Sequence, residues 1–438
     1  MNVAARPLAG DGALWLGMLM FRLALDVAYQ HFLYPVFKSD TPISFHYAVE
    51  IDRYLLSLLI FSLFVTVIRS RSTSVTNVFM FMASVFVVAP LTSEYGLNAA
   101  RPAAPVFCAT LALLVVDLVS RIRMPDVLSL HAMPRGRMAA VALAASGVLY
   151  LVVWGYLSGA VEFLSFDLSR IYEFRDRAAE RLDVGLLAYL NLWTYKVFTI
   201  FLLCVLLQHR RFIWLLPVLA CQILFFGLTS HRIVLFLPLL TIGVWLYLGR
   251  VNRLAPMAIA AALGLLCALY LYQAWGNETI PEIMIRRAFF VPSGLTFQWF
   301  DYFDTHPHVY WADKLLARFS SGDYVRVNIP RLVGDYLVPG SNSAANTGMI
   351  GSGYAQAGYW GVLLYAVILG LALSLLNAIV RSGVPLWLVA ALSIGPLRTA
   401  IADSDLFTSL LSHGLGMAVL LLWLYRGSRH QTPGGQTA

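Results

Sequence analysis

MIGSGYAQAGYWGVLLYAVILGLALSLLNAI, residues 349–379, decides the class of this protein. A helix rises about 1.5 Å per residue and the hydrocarbon core of a bilayer is about 30 Å thick, so about 20 mostly apolar residues cross it. This run exceeds that length, which predicts a tilted or bent span. Its glycines Gly351, Gly353, Gly358, Gly361 and Gly370 permit close packing or a kink. Further apolar runs lie at roughly 13–36, 54–69, 75–92, 103–120, 138–158, 185–207, 212–229, 232–249, 255–275, 384–401 and 405–425. The expected fold is therefore all-α: one polytopic integral membrane domain over residues 1–438, with about twelve transmembrane helices.

Composition agrees with that reading. Of 438 residues, 59% are hydrophobic and 12% charged, and the mean hydropathy is +0.73, well outside the range of soluble domains. The net charge of +8 does not point to nucleic acid, because the arginines fall in short clusters between apolar runs rather than on one basic face. Alternate connections carry Arg69/Arg71, Arg121/Arg123/Arg135/Arg137, Arg210/Arg211, Arg250/Arg253, Arg381 and Arg426/Arg429. Basic loops stay in the cytoplasm, so both termini are expected there, in a cytoplasmic membrane. Arg6 precedes a first apolar stretch broken by Arg22 and Asp26, with no small-residue cleavage site, so that stretch reads as a retained span. Cys108, Cys204, Cys221 and Cys267 sit in apolar runs without paired spacing, against disulfides and zinc.

Two outward segments are long. The first, 159–184, contains SRIYEFRDRAAERL, where Ile171, Phe174, Ala178 and Leu182 recur at helical spacing, as in an amphipathic helix lying in the interface. The second, 276–348, is an aromatic-rich outer loop that carries Arg286, Arg287, Lys314, Arg318, Arg326 and Arg331 and ends in PGSNSAANTG. No Walker motif, dinucleotide-binding glycine pattern or kinase signature is present, so no nucleotide cofactor is expected.

Several residues could carry chemistry. Arg232, in LTSHRIVLFLPLL, stands where two spans meet with almost no loop. Its guanidinium could bind a diphosphate bidentately in the headgroup layer, or could merely snorkel or cap a helix; His231 reads as an interfacial neighbour. Of the adjacent pair Arg286/Arg287, one is expected to bind an anion while the other pairs with an acid, since neighbours cannot share a helical face; a solvated or headgroup-bound pair is the plainer reading. FQWFDYFDTHPHVYW, 297–311, sets Asp301, Asp304, His306 and His308 among aromatics. Aromatic faces beside carboxylates suit sugars, with Trp299, Tyr302 and Trp311 as stacking surfaces, although an interfacial aromatic belt looks the same. Arg22 and Asp26, four apart, are expected to neutralise one another inside the membrane. The triplets Glu50-Ile51-Asp52 and Asp403-Ser404-Asp405 have the spacing of metal-holding carboxylates, which leaves open a metal-dependent glycosyltransferase using Glu50 and Asp52.

LTSHR at the end of a mid-chain span, RRAFFVPSGLTFQWFDYFDTHP opening the long loop, and NTGMIGSGYAQAGYWG leading into the glycine-rich span together resemble the Wzy-type oligosaccharide repeat-unit polymerases, relatives of the O-antigen ligases. The resemblance covers roughly residues 185–400 in motif content. It implies a GT-C-like membrane glycosyltransferase that joins repeat units carried on undecaprenyl diphosphate at the periplasmic face of the bacterial inner membrane, without a metal or other cofactor. A membrane lipid and a chain-length regulator protein are the further partners it suggests. By motif position Arg232 and Arg286 or Arg287 would hold the diphosphate. Ligases carry His-Asn before the late glycine-rich helix, where this chain has Ala345-Asn346, which favours polymerase over ligase. Asp301, Asp304, His306 and Asp335 are then the candidates to activate the acceptor hydroxyl. A transporter of lipid-linked sugars is the competing class; no inverted repeat supports it.

Overall fold

The computed structural model describes residues 8–38, 43, 45–123, 133–166, 181–182, 184–229, 231–313, 316–319, 324–340 and 343–426, with the side chains of 8–10 and of Arg232 left aside. Among these residues every regular element is a helix, and the only β pairings are isolated bridges, Ala48 with Asn98 and Arg71 with Arg253. Among the described residues nine helices are long and apolar enough to cross a membrane: Asp11–Phe37, Val75–Leu97, Gly136–Leu157, Leu187–Gln208, Phe212–Thr229, Ala255–Trp275, Met349–Arg381, Leu386–Asp403 and Leu406–Tyr425. The remaining expected runs are also helices but shorter, Ile51–Val65, Ala104–Ser120 and Ile233–Leu248. The chain is an all-α, multi-pass membrane protein. Its four cysteines are free. The amphipathic helix expected within 159–184 falls largely on 167–180 and so lies outside the described residues.

The chain forms two compact units, one from Met1–Ile122, Asn252–Ala372 and Arg398–Leu406, the other from Arg123–Val251, Leu373–Leu397 and Phe407–Ala438. The first unit is organised around Val75–Leu97, whose apolar window is 94% buried, far more than any other span. Ser74 caps that helix by accepting from Asn77 N at 3.2 Å, satisfying a donor the helix cannot pair internally. Small residues bring neighbouring helices close. A Cβ on Gly17 would stand 3.2 Å from Ala258 Cβ, so Asp11–Phe37 and Ala255–Trp275 approach backbone to backbone.

Charges inside the first unit are neutralised locally, as the Arg22/Asp26 spacing predicts. Arg22 is fully buried and ion-pairs with Asp26. Its other nitrogens donate to Thr92 Oγ1 at 3.2 Å and Ser57 Oγ at 3.1 Å. Asp26 also accepts from Tyr54 at 3.0 Å and Ser93 at 2.5 Å. Without water, a buried ion pair is tolerable only when such hydrogen bonds fill its remaining positions.

The long span bends as its glycines predict. Met349–Arg381 is interrupted at Ala357 (φ −156°, ψ 35°) and Gly358 (φ 60°, ψ −143°). Segment 276–348, read from sequence as a loop, is instead helical through much of its length. A π-helix Glu282–Phe290 runs straight into Val291–Thr305, and Ile329–Leu337 follows. Val291–Thr305 is buried almost all round, including Phe297, Trp299, Phe300, Tyr302 and Phe303. Pro292, which has no N–H to give the helix, stands directly after the π-helical turns, where the regular i to i+4 bonding is already interrupted.

In the second unit, Gly136–Leu157, Leu187–Gln208 and Phe212–Thr229 enclose a core of Leu151, Tyr195, Phe225, Phe226 and Leu228. Gln222, buried, donates to the carbonyls of Tyr195 at 3.0 Å and Val234 at 2.8 Å. It thereby ties the start of the Arg232–Leu248 helix to its neighbours.

Candidate functional site

Arg286 and Arg287 face one cavity of about 230 Å³ within the first unit. Val291, Leu295, Leu337 and Val338 supply its apolar walls, and Gly334 and Ala345 bring backbone to its edge. The sequence expectation that the two arginines divide their roles is corrected by the helix type. Both reach the same carboxylate, Glu282, at 3.5 Å from Arg286 and 3.0 Å from Arg287. The wider π-helical turn, with its i to i+5 bonding, brings positions four and five residues on to one side. Arg286 also lies 4.4 Å over the Phe37 ring. Burial pulls its guanidinium below the ordinary value, against the Glu282 charge and with the help of Arg287; an arginine stays cationic nonetheless. Arg287 is the more accessible, with its side chain 54% exposed against 15% for Arg286.

The helix carrying this pair is anchored by residues that sequence reasoning passed over. Ser293 donates to the fully buried Glu94 at 2.8 Å, and Arg101 binds the same carboxylate at 2.6 Å while lying 5.1 Å over Phe297. Glu94 was legible as a lone acid just past the apolar run 75–92, a default functional or structural signal in a membrane segment. Trp299, expected to stack on sugar, is instead 3% exposed and donates to Ala345 O at 2.9 Å, holding the strand of chain that lines the cavity. Trp299→Phe, which leaves that buried carbonyl unpaired, is expected to destabilise the protein by about 1–3 kcal/mol. Denaturation in mixed micelles measures this, and an unchanged midpoint would show that the bond contributes nothing.

The proposed acid–base candidates separate. Asp335 sits on Ile329–Leu337 beside the cavity-lining Gly334, is exposed, and accepts from Gly340 N at 2.7 Å. Asp301 and Asp304 lie further along the Arg287 helix, roughly 20 Å or more along its axis at about 1.5 Å per residue. Both are exposed, and Asp304 accepts from the Tyr354 hydroxyl, whose ring stacks on Phe300 at 3.8 Å. His306 follows at the helix end. Its ring stacks on Tyr302 at 4.0 Å, and its Nδ1 lies 2.8 Å from Tyr302 O and 3.0 Å from Thr305 Oγ1. Tyr302 itself is buried, and burial raises its hydroxyl pKa. Tyr336 packs edge-on against Tyr302 at 5.0 Å and His306 at 6.1 Å. Sequence reasoning passed over Tyr336, although at 49% exposure it offers more ring surface than Tyr302.

Trp311 donates through its indole to Tyr365 at 3.1 Å, and Tyr365 donates to Asp405 at 2.7 Å. Asp403 pairs with Arg398, and Glu50 lies 3.8 Å from Arg53. Among the described residues no three His, Cys, Asp or Glu side chains gather where they could hold a metal ion.

Arg232 belongs to the second unit, at the first position of Arg232–Leu248 behind the N-cap residue His231, and its side chain lies outside the described residues. The His231 ring lies 6.0 Å from that of Tyr195. In the same unit Lys196 donates to His413 Nδ1 at 3.1 Å. Comparison with family models, with curated proteins and with solved structures finds no match to this chain.

Proposed function

We propose that this membrane protein is a lipid-diphosphate-dependent glycosyltransferase that polymerises undecaprenyl-diphosphate-linked oligosaccharide repeat units at the periplasmic face of a bacterial inner membrane, with both termini in the cytoplasm. The observation that carries the proposal is the cavity of about 230 Å³ where two guanidiniums meet apolar walls. That pairing of surfaces suits an amphiphile whose doubly charged headgroup joins a hydrocarbon chain. The resemblance of the surrounding motifs to Wzy-type polymerases points the same way.

In this reaction the acceptor sugar's hydroxyl oxygen forms a bond to the donor's anomeric carbon. The bond from that carbon to the diphosphate oxygen breaks, and the electron pair leaves with the lipid diphosphate. Arg286 and Arg287 stabilise the charge that grows on the departing oxygen. Asp335, on the helix lining the cavity, takes the hydroxyl proton. Tyr336 and His306, packed on the buried Tyr302 further along, offer aromatic surface for the sugars of the chain.

The test is incubation of the purified protein with a lipid-diphosphate repeat unit and gel separation of the products. A ladder of multiples is expected. Recovery of single units alone overturns the proposal, and movement of intact units across vesicles without a ladder would place the protein among transporters.

A further inference from the structure

The second unit contains a cavity of its own, about 280 Å³, unconnected to the chemistry above. Gln208, Arg210, Trp245, Arg250 and Trp387 line it, and no carboxylate does among the described residues. It forms where Leu187–Gln208 and Arg232–Leu248 end and Leu386–Arg398 begins. Arg250 lies 5.1 Å over the Trp245 ring and donates to Leu246 O at 3.2 Å, which fixes its guanidinium against the wall. Arg210 holds a left-handed φ of 54°, a backbone state that side chains other than glycine adopt only at a cost. Gly249 also lines the cavity, and a Cβ there would crowd the Trp245 carbonyl oxygen.

Next to this positive cavity the chain exposes Phe212, Ile213 and Trp214 at 51%, 72% and 60%. Apolar and tryptophan side chains at a span terminus belong at the level where acyl chains meet headgroups. Arg210 and Arg250 belong to the short basic loops, and cations at such loops attract the anionic headgroups of that layer. We propose that the cavity binds the phosphoryl group of an anionic phospholipid, gripped by Arg210 and Arg250 between the Trp245 and Trp387 rings. A soluble phosphate shares the same chemistry, and the apolar ledge favours the lipid.

Native mass spectrometry of the purified full chain, presented with phosphatidylglycerol or phosphatidylcholine, tests this. Wild type is expected to retain phosphatidylglycerol with a preference of roughly tenfold or more. The preference should vanish in Arg210→Gln/Arg250→Gln and fall markedly in Arg210→Gln alone, which alters only an exposed side chain. Arg69→Gln/Arg71→Gln removes the same charge from exposed positions in the other unit and should leave the preference intact. Equal loss in that control, or none in the cavity variants, overturns the proposal. So does displacement of the lipid by glycerol phosphate at matching concentration, which would assign the site to a soluble anion.

Discussion

Arg287→Ala is expected to lower ladder formation by about 10²–10³-fold, the usual loss when one preorganised donor to a developing negative charge is removed. Arg287 is the better choice for this measurement than Arg286. Its side chain is the more exposed, whereas Arg286 also packs on Phe37, so removing Arg286 would mix lost chemistry with lost packing. Arg287→Lys should recover only part of the activity, because an ammonium keeps the charge but not the planar fork. Initial rates on a fixed lipid-linked substrate measure the effect. A ladder formed by Arg287→Ala at the wild-type rate would remove the cavity from the reaction, while leaving a polymerase built around other residues testable through Arg232→Ala.

Asp26→Ala is expected to destabilise the protein by about 3–5 kcal/mol, since it strands a buried guanidinium without its counter-ion. Arg22 has no exposed surface through which to rehydrate, and Thr92 and Ser57 supply only neutral acceptors. The double variant Arg22→Met/Asp26→Leu should lose much less, because it removes both charges and keeps the volume filled. Unfolding in mixed micelles compares the two. If the double variant is as unstable as the single, packing around the pair rather than its charge carries the stability.

How much of this was legible follows from what each signal depends on. The spans were readable because hydropathy over a bilayer's thickness is a sum over many residues, and the Arg22/Asp26 pair because four residues make one α-helical turn. Val75–Leu97 was clipped at 92 because Glu94 interrupts the apolar run, yet that acid is buried against Arg101, just past the helix end, and Ser293, a partner distant in sequence. The helices inside 276–348 were hidden for a related reason. Their buried rings alternate with exposed Asp301 and Asp304 and with arginines, so no stretch of about 20 residues is apolar throughout. The joint reach of Arg286 and Arg287 to Glu282 required a π-turn, and nothing in local residue spacing announces one. Trp299 misled because an aromatic ring that grips a carbonyl is spelled the same way as one that greets a sugar.

The break at Gly358 limits what that position can hold. Its φ of 60° with ψ of −143° belongs to a region closed to residues with a Cβ, and a Cβ there would also press on His308 Nε2 at 3.2 Å. Any residue with a side chain at position 358 would have to move the backbone of the break to be accommodated. The direction in which the second half of this span leaves the first therefore hangs on a residue that contributes no side chain at all.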